Sequence, residues 1–255
     1  MRVLLAVVTS LLLPGSPHAA EPAESRLALI IGNAAYSAPE AALKNAANDA
    51  RLVAATLTDL AFTVQLVQDA DYAVMRRAIR QFEDELRREH GIGFFYFAGH
   101  GVQLEGRNYL IPVQAGVVNE LELRSRSVDA NELIDRLRST GSRLNIVILD
   151  ACRDNPLYKP AFVSRGAPSA GLAPLAPARG TLVAFATEPG RVASDGPAGR
   201  GIYARYLAQY MRVPGLSLEQ LFKRLREAVA AETKGAQVPV EFSELTGADF
   251  YFVRP

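Results

Sequence analysis

A short apolar segment constrains the fold more than any other stretch of the sequence. It runs from Leu144 to Cys152 and is followed by the turn-forming residues Asn155 and Pro156. An apolar, β-branched run that is too short for a helix and ends in such residues is typical of a buried parallel strand that leads into a loop. Cys152 is therefore expected at the carboxyl end of a strand, where the ligands and reactive groups of open α/β sheets collect.

Similar apolar runs alternate with helical patterns along the rest of the chain. Besides 144–152, strands are predicted at 27–31, 62–67, 92–98, 181–186 and 249–253. Helices are predicted to begin near residues 45, 71, 129, 202 and 217, and a small hairpin is predicted at 102–112. Alternating strands and helices predict an α/β domain with a six-stranded, mostly parallel sheet flanked by helices.

Composition limits the compartment and the partners. The 255 residues are 49% hydrophobic, which is enough for one sizeable core. The net charge of +1 does not indicate binding to nucleic acid. The N-terminus has Arg2, an apolar run at 3–13 and then Ala19 and Ala20, the layout of a signal peptide. We expect a signal peptide at 1–20 and a mature domain at 21–255, exported to the bacterial periplasm or the medium. No membrane attachment is expected once the signal is removed; an uncleaved anchor is the alternative.

Two residues are candidates for chemistry. Cys152 is the only cysteine and cannot form an internal disulfide, so its free thiol in an oxidising compartment needs a reason. His100 follows the apolar run 92–98 and is flanked by Gly99 and Gly101, which are predicted to let the backbone turn sharply. The alternatives are a cysteine that is a small buried hydrophobe and a histidine satisfied within the core.

The predicted topology brings these two residues close together. Strands joined by helical crossovers run parallel, so His100 and Cys152 are expected at the same edge of the sheet. A histidine there can take the thiol proton, and the thiolate can attack a carbonyl carbon. The backbone N–H groups of Gly101 and Cys152 are the candidate donors to the resulting oxyanion. The sequence therefore predicts a Cys/His catalytic dyad.

Five motifs in order along the chain carry a resemblance to a known family. They are Ile31-Gly32-Asn33, Asn48-Asp49-Ala50, the segment 96–101, the segment 150–156 and Ala193-Ser194-Asp195-Gly196. The set, with His100 and Cys152 about 50 positions apart, is similar to the bacterial metacaspase-like (orthocaspase) peptidases of the caspase clan. The resemblance extends from Leu27 to Val253. It implies a caspase-like three-layer sandwich and a Cys/His peptidase that acts on peptides or proteins.

The resemblance also bears on substrate specificity. Caspases have glutamine at the position of Asp150, where it helps to bind an aspartate side chain, whereas a carboxylate there favours arginine or lysine. In metacaspases the acid of the motif around Asp49 lines the same pocket, and Asp195 is a third candidate. Each acid also has a structural interpretation: a helix cap for Asp49, a backbone-bonding acid for Asp150 and an Asp-Gly turn for Asp195. Ala98 stands where many metacaspases have a pocket serine.

Self-cleavage and cofactors are further points on which the resemblance bears. The caspase clan often cuts itself after the catalytic cysteine, and Lys159, Arg165 and Arg179 lie in the long, aperiodic segment 156–180. No cofactor is expected. Calcium activation is common among metacaspases, but no acidic cluster in the sequence can be assigned to it, and the ligand set for zinc is missing.

The leading interpretation is an exported cysteine endopeptidase that cuts after Arg or Lys. One alternative is a caspase-fold pseudoenzyme that binds peptides or proteins without cutting them. The other is an unrelated doubly wound α/β binding protein in which Cys152 is structural. That protein would need a glycine-rich phosphate loop after the first strand, and Gly32 and Asn33 do not supply it.

Overall fold

A computed structural model describes most of the chain. The described residues are 24–37, 41–117, 119–152, 172–175, 179–187, 199 and 201–255. Several predicted features lie outside them: the signal peptide at 1–20, Lys159, Arg165, Asp195 and most of the segment 156–180. Among the described residues, no helix combines the length and apolar composition needed to cross a membrane.

A six-stranded sheet forms the middle layer. Its strands are β1 (Arg26–Gly32), β2 (Thr63–Gln68), β3 (Ile92–Leu104), β6 (Leu144–Cys152), β7 (Thr181–Phe185) and β8 (Val240–Ser243). They lie in the order β2-β1-β3-β6-β7-β8, and only β8 is antiparallel to its neighbour. Two further strands, β4 (Arg107–Leu110) and β5 (Val128–Asp129), extend from β3.

Helices cover both faces of the sheet. They are α1 (Ala46–Asp59), α2 (Tyr72–Glu89), α3 (Glu120–Arg126), α4 (Ala130–Arg138), α5 (Ile202–Met211) and α6 (Leu218–Glu232). Side chains alternate across β3, so Phe94 and Tyr96 pack with α1, α5 and α6, whereas Phe95 and Phe97 pack with α2 and α4. The burial of each phenylalanine contributes about 2 kcal/mol. The predicted three-layer α/β fold is confirmed.

Three helices begin where their polar caps predict. The carboxylate of Asp71 accepts the backbone N–H of Val74 at the start of α2. Asp129 accepts two N–H groups at the start of α4, and the hydroxyl of Ser217 accepts one at the start of α6. These bonds satisfy donors that the first turn of a helix leaves without partners.

The predicted turn at Gly99–Gly101 is wrong. β3 continues through these residues as a strand of 13 residues, and neither glycine has a positive φ. The reason is the hairpin: residues 101–104 pair with β4, so the ladder carries the strand past the end of β1. The hairpin itself is confirmed, with Glu105 and Gly106 at its turn.

The sixth strand lies elsewhere than predicted. The segment 249–253 forms one isolated bridge, between Ser217 and Tyr251, and the sixth strand is β8 at the edge of the sheet. The alternating apolar pattern of 249–253 has another cause: Phe250 and Phe252 are buried against the core on the α1 face. The sequence analysis also missed α3 and β5.

Candidate active site

His100 and Cys152 occupy neighbouring positions at the carboxyl edge of the sheet. They are paired in register in the parallel ladder between β3 and β6, two positions beyond the pair of Ala98 and Asp150. Neighbouring strands lie about 4.8 Å apart. Because both positions follow the same alternation as Tyr96, they fall on the α1 face of the sheet.

The surroundings of His100 fix the tautomer of its ring. Nε2 lies 2.7 Å from the carbonyl oxygen of Ala41. A carbonyl oxygen only accepts, so Nε2 carries the proton and Nδ1 is the basic nitrogen. Nδ1 is buried and has no hydrogen-bond partner within the described part of the chain. The imidazole therefore presents a free lone pair at Nδ1.

Tyr36 supports the backbone and the ring of His100. Its hydroxyl accepts the backbone N–H of His100 at 2.8 Å and donates to the carbonyl of Ile111 at 3.0 Å. The two rings lie 4.4 Å apart between centroids. Both residues are buried, so the ring of His100 is held between a tyrosine and the Ala41 carbonyl.

Burial lowers the pKa of His100 below its ordinary value. The side chain is 2% exposed, and the bond to the carbonyl of Ala41 opposes the shift only in part. A lowered pKa favours the neutral imidazole near pH 7. The neutral form is the one that can accept a proton.

The candidate oxyanion donors lie in the last rung of the ladder between β3 and β6. The carbonyl of His100 accepts from Ile111, on the β4 side. The N–H of Gly101 belongs to the same trans peptide unit and points the opposite way, toward β6. In a parallel ladder such N–H groups donate to the neighbouring strand. The N–H groups of Gly101 and Cys152 thus become available to a ligand only if the last hydrogen bonds between β3 and β6 break.

Asp150 is held by a buried tyrosine. The hydroxyl of Tyr96 donates to Oδ2 of Asp150 at 2.7 Å. Burial, followed by the charges of Asp150 and Asp49, raises the pKa of Tyr96 well above its ordinary value. Tyr96 therefore stays a neutral donor, and both carboxylates lie close enough to act on it.

Asp49 links the start of α1 to the start of α5. It is 4% exposed, and its Oδ1 accepts the backbone N–H of Gly201 at 2.8 Å. A Cβ atom at position 201 would lie 2.6 Å from Oδ2 of Asp49, so this approach requires glycine. Asn48 donates to the carbonyl of Gly199 at 2.9 Å. Asp49 is not the N-cap of α1, which is Asn45.

A second buried tyrosine lies on the same face. Tyr203 is 1% exposed, and its hydroxyl has no hydrogen-bond partner among the described residues. Burial, followed by the charges of Asp150 and Glu241, raises its pKa well above the ordinary value. Asp49, Asp150 and two neutral phenols thus occupy one region between the sheet, α1 and α5.

The remaining predicted residues are only partly described. The exposed Arg179 lies two residues before the start of β7, and Gly180 between them is bonded into the sheet: its N–H donates to the carbonyl of Glu244 and its carbonyl accepts from Asn145. Asp195, Lys159 and Arg165 lie outside the described residues. Within the described ranges, no group of three or more His, Cys, Asp or Glu side chains is arranged to hold a metal ion.

The sequence analysis missed three contributors to this region. Tyr36 and the Ala41 carbonyl position His100, and Tyr96 positions Asp150. A backbone carbonyl has no sequence signature. The tyrosines carry a weak one, since a buried tyrosine needs a partner for its hydroxyl.

A histidine and a cysteine paired on adjacent strands, with the basic nitrogen of the histidine free of a described partner, form the arrangement used by thiol-dependent hydrolases. Residues 25–251 match the peptidase C14 family model, described as a caspase domain, and the chain belongs to this family. The family supports a cysteine-type peptidase whose substrates are peptides or proteins.

A human relative matches part of the chain. Mucosa-associated lymphoid tissue lymphoma translocation protein 1 of Homo sapiens is 29% identical over 137 residues, which cover 53% of this chain. The match spans 16% of that protein.

Proposed function

We propose that the protein is an exported cysteine endopeptidase of the metacaspase (orthocaspase) type that cuts after arginine or lysine. One observation carries the proposal: His100, with its Nδ1 free of hydrogen bonds in the described part of the chain, is in register with Cys152 at the carboxyl edge of the sheet. Membership of the caspase family supports the same chemistry.

In the proposed reaction, Nδ1 of His100 takes the proton of the Cys152 thiol, and the thiolate attacks the carbonyl carbon of the scissile bond. The N–H groups of Gly101 and Cys152 donate to the oxyanion once their rung opens. The carbon–nitrogen bond then breaks, and the imidazolium gives its proton to the leaving amine. Water deprotonated by the same imidazole hydrolyses the thioester, and the proton returns to the thiolate.

Two carboxylates, those of the buried Asp49 and the half-buried Asp150, support the preference for a basic residue. The charges of Asp49 and Asp150 both raise the pKa of Tyr96, and both residues lie on the same face of the sheet as His100. A guanidinium presents five donors in a fixed fork, which two carboxylates can share. An aspartate side chain would meet like charge there. Asp195 remains a third candidate for this pocket.

The test uses matched fluorogenic peptides with Arg, Lys or Asp before the scissile bond. We expect turnover of the Arg and Lys substrates, with and without added calcium as parallel arms. Cys152→Ala and His100→Ala are expected to lose at least about 1,000-fold in kcat/KM. The variant Arg80→Ala, at an exposed site on α2, serves as the control for folding and handling.

Two results would contradict the proposal in different ways. Cleavage of the Asp peptide alone would keep the dyad and reject the roles of Asp49 and Asp150. No cleavage in any arm, together with saturable binding of the same peptides, would favour the pseudoenzyme that binds without cutting.

Self-cleavage is proposed at Lys159 or Arg165. Cutting after Arg179 would require the start of β7 to leave the sheet, because Gly180 is bonded on both sides. Incubation of the wild type should give two bands that are absent from Cys152→Ala and from the double variant Lys159→Gln/Arg165→Gln. A single wild-type band, or cutting that persists in the double variant, contradicts this assignment.

Export is proposed from the N-terminal pattern of residues 1–20. N-terminal sequencing of the mature protein from the periplasm and the medium should find a chain that begins near residue 21. Retention of the full chain in the cytoplasm would reject this part of the proposal.

A further inference from the structure

A cleft with a volume of about 300 Å³ lies on the opposite face of the sheet from His100, between α2, α3, α4 and the strands β4 and β5. Four arginines line it: Arg76, Arg107, Arg124 and Arg136. Asp129 and Glu132 are its acidic side chains. The peptidase mechanism uses none of these residues.

Three of the arginines are oriented by carboxylates. Arg107 binds Asp129 at 2.6 Å, and Arg124 binds Glu105 at 2.6 Å. Arg136 contacts two acids, Glu83 at 3.0 Å and Glu132 at 2.8 Å. Arg124 also donates to the hydroxyl of Tyr109. With this bond included, each of the three guanidinium groups uses one or two of its five N–H groups in these contacts. Unused donors remain on each arginine.

Among the four arginines of the cleft, Arg76 is the one without an ion pair to a described residue. Its guanidinium lies 5.3 Å from the centroid of the Tyr72 ring, and no carboxylate is within ion-pair distance among the described residues. Stacking on an aromatic ring limits the motion of the side chain and leaves its N–H groups unused. Arg76 thus brings to the cleft a guanidinium that no described carboxylate holds.

A buried hydroxyl points independently to a ligand. Ser127 lines the same cleft, is 3% exposed, and has no hydrogen-bond partner for Oγ among the described residues. Buried hydroxyl groups are normally hydrogen-bonded. Oγ has almost no accessible surface, so a ligand oxygen accepts from Ser127 only when the side chains over it move apart, and it then accepts from the guanidinium groups as well.

We propose that this cleft binds the phosphate group of a small phosphate monoester. The side chains offer many donors, and both acids are already occupied by arginines, so the ligand must be an anion with several acceptor oxygens. Arginine matches phosphate in a bidentate geometry. The cleft has room for an attached sugar or alcohol, which would lie against the aromatic side chains of Tyr72 and Tyr109.

The test measures binding to the purified full chain by calorimetry. The probes are glucose 6-phosphate, inorganic phosphate, glucose and acetate. We expect saturable binding of glucose 6-phosphate that is tighter than that of phosphate and weakens as salt is raised. Glucose and acetate are expected not to saturate.

Two exposed arginines on α2 give a matched pair of variants. Arg76→Ala is expected to weaken glucose 6-phosphate binding about tenfold, the effect of losing a charge-assisted bond. Arg80→Ala lies one turn further along, outside the cleft, and should bind as the wild type does. Ser127→Ala should weaken binding about threefold.

The proposal is overturned if glucose 6-phosphate does not saturate, if glucose binds as tightly, or if the two arginine variants lose binding equally. If inorganic phosphate alone binds, the site takes a free anion and the monoester is rejected. Binding is measured without substrate, so these outcomes are independent of peptidase activity.

Discussion

The hydroxyl of Tyr96 and the carboxylate of Asp150 form a 2.7 Å hydrogen bond beneath the edge of the sheet that carries His100. Tyr203, on the same face, is equally buried, yet its hydroxyl has no partner among the described residues. Two phenols in similar surroundings thus differ in whether their hydroxyl groups are bonded.

This contrast predicts opposite effects of two identical substitutions. Tyr96→Phe removes a bond to a charged group and should lower the free energy of unfolding by about 1 to 3 kcal/mol. Tyr203→Phe removes an unpaired buried hydroxyl and should be neutral or stabilising. Urea unfolding of the two variants measures the difference, and equal destabilisation would contradict it.

The charge of Asp150 is predicted to matter more than its shape. Asp150→Asn keeps the size of the side chain and removes the charge, so kcat/KM for the Arg peptide should fall about 30-fold or more. Most of the loss is expected in KM. Unchanged kcat/KM for the Arg peptide would remove Asp150 from the substrate pocket.

The contact between Asp49 and Gly201 gives a steric prediction. Gly201 has φ −63, which alanine adopts without strain, so Gly201→Ala acts through the Cβ atom that would lie 2.6 Å from Asp49. Relief of this overlap should cost about 1 to 3 kcal/mol in the free energy of unfolding and raise KM for the Arg peptide. Wild-type stability and KM in this variant would show that the backbone at residue 201 can move away from Asp49 without cost.

The titration of His100 can be measured without the thiol. In Cys152→Ala, burial should keep the pKa of His100 below the ordinary value of about 6.5. NMR measures it, with His100→Gln to assign the signal. A pKa at or above the ordinary value would contradict the burial of a neutral ring.

The same shift has a consequence for stability. The unfolded chain binds this proton more readily than the folded chain, so protonation favours unfolding. The contribution of His100 is fully present above about pH 6.5 and is lost as the pH falls through the lower folded pKa. Cys152→Ala should therefore lose more stability over this window than Cys152→Ala/His100→Gln does.

The sequence predicted the central strands because their signals are local. Unbroken apolar runs identify β3 and β6, and parallel crossovers bring His100 beside Cys152. The continuation of β3 through Gly99 was missed because it depends on pairing with β4, a tertiary effect. Local pattern alone allows both a turn and a strand there.

Other misses have equally physical causes. Helix α3 has one buried residue, Leu123, and its Leu121 is 77% exposed, so it lacks an apolar stripe. The segment 249–253 alternates like a strand, but its phenylalanines pack into the core without a ladder. The pairing of Asn48 and Asp49 with residues 199 and 201 spans most of the chain and has no local signal.

The order of strands determines what a cut between β6 and β7 would produce. β7 lies between β6 and β8, and α5 beyond it is joined to α1 through Asp49 and through Arg212, which donates to Thr56 and Asp59. The two fragments would therefore share one sheet and one core. A nicked molecule would behave as a pair of interlocked subunits, a single particle on gel filtration that separates into two only when it is unfolded.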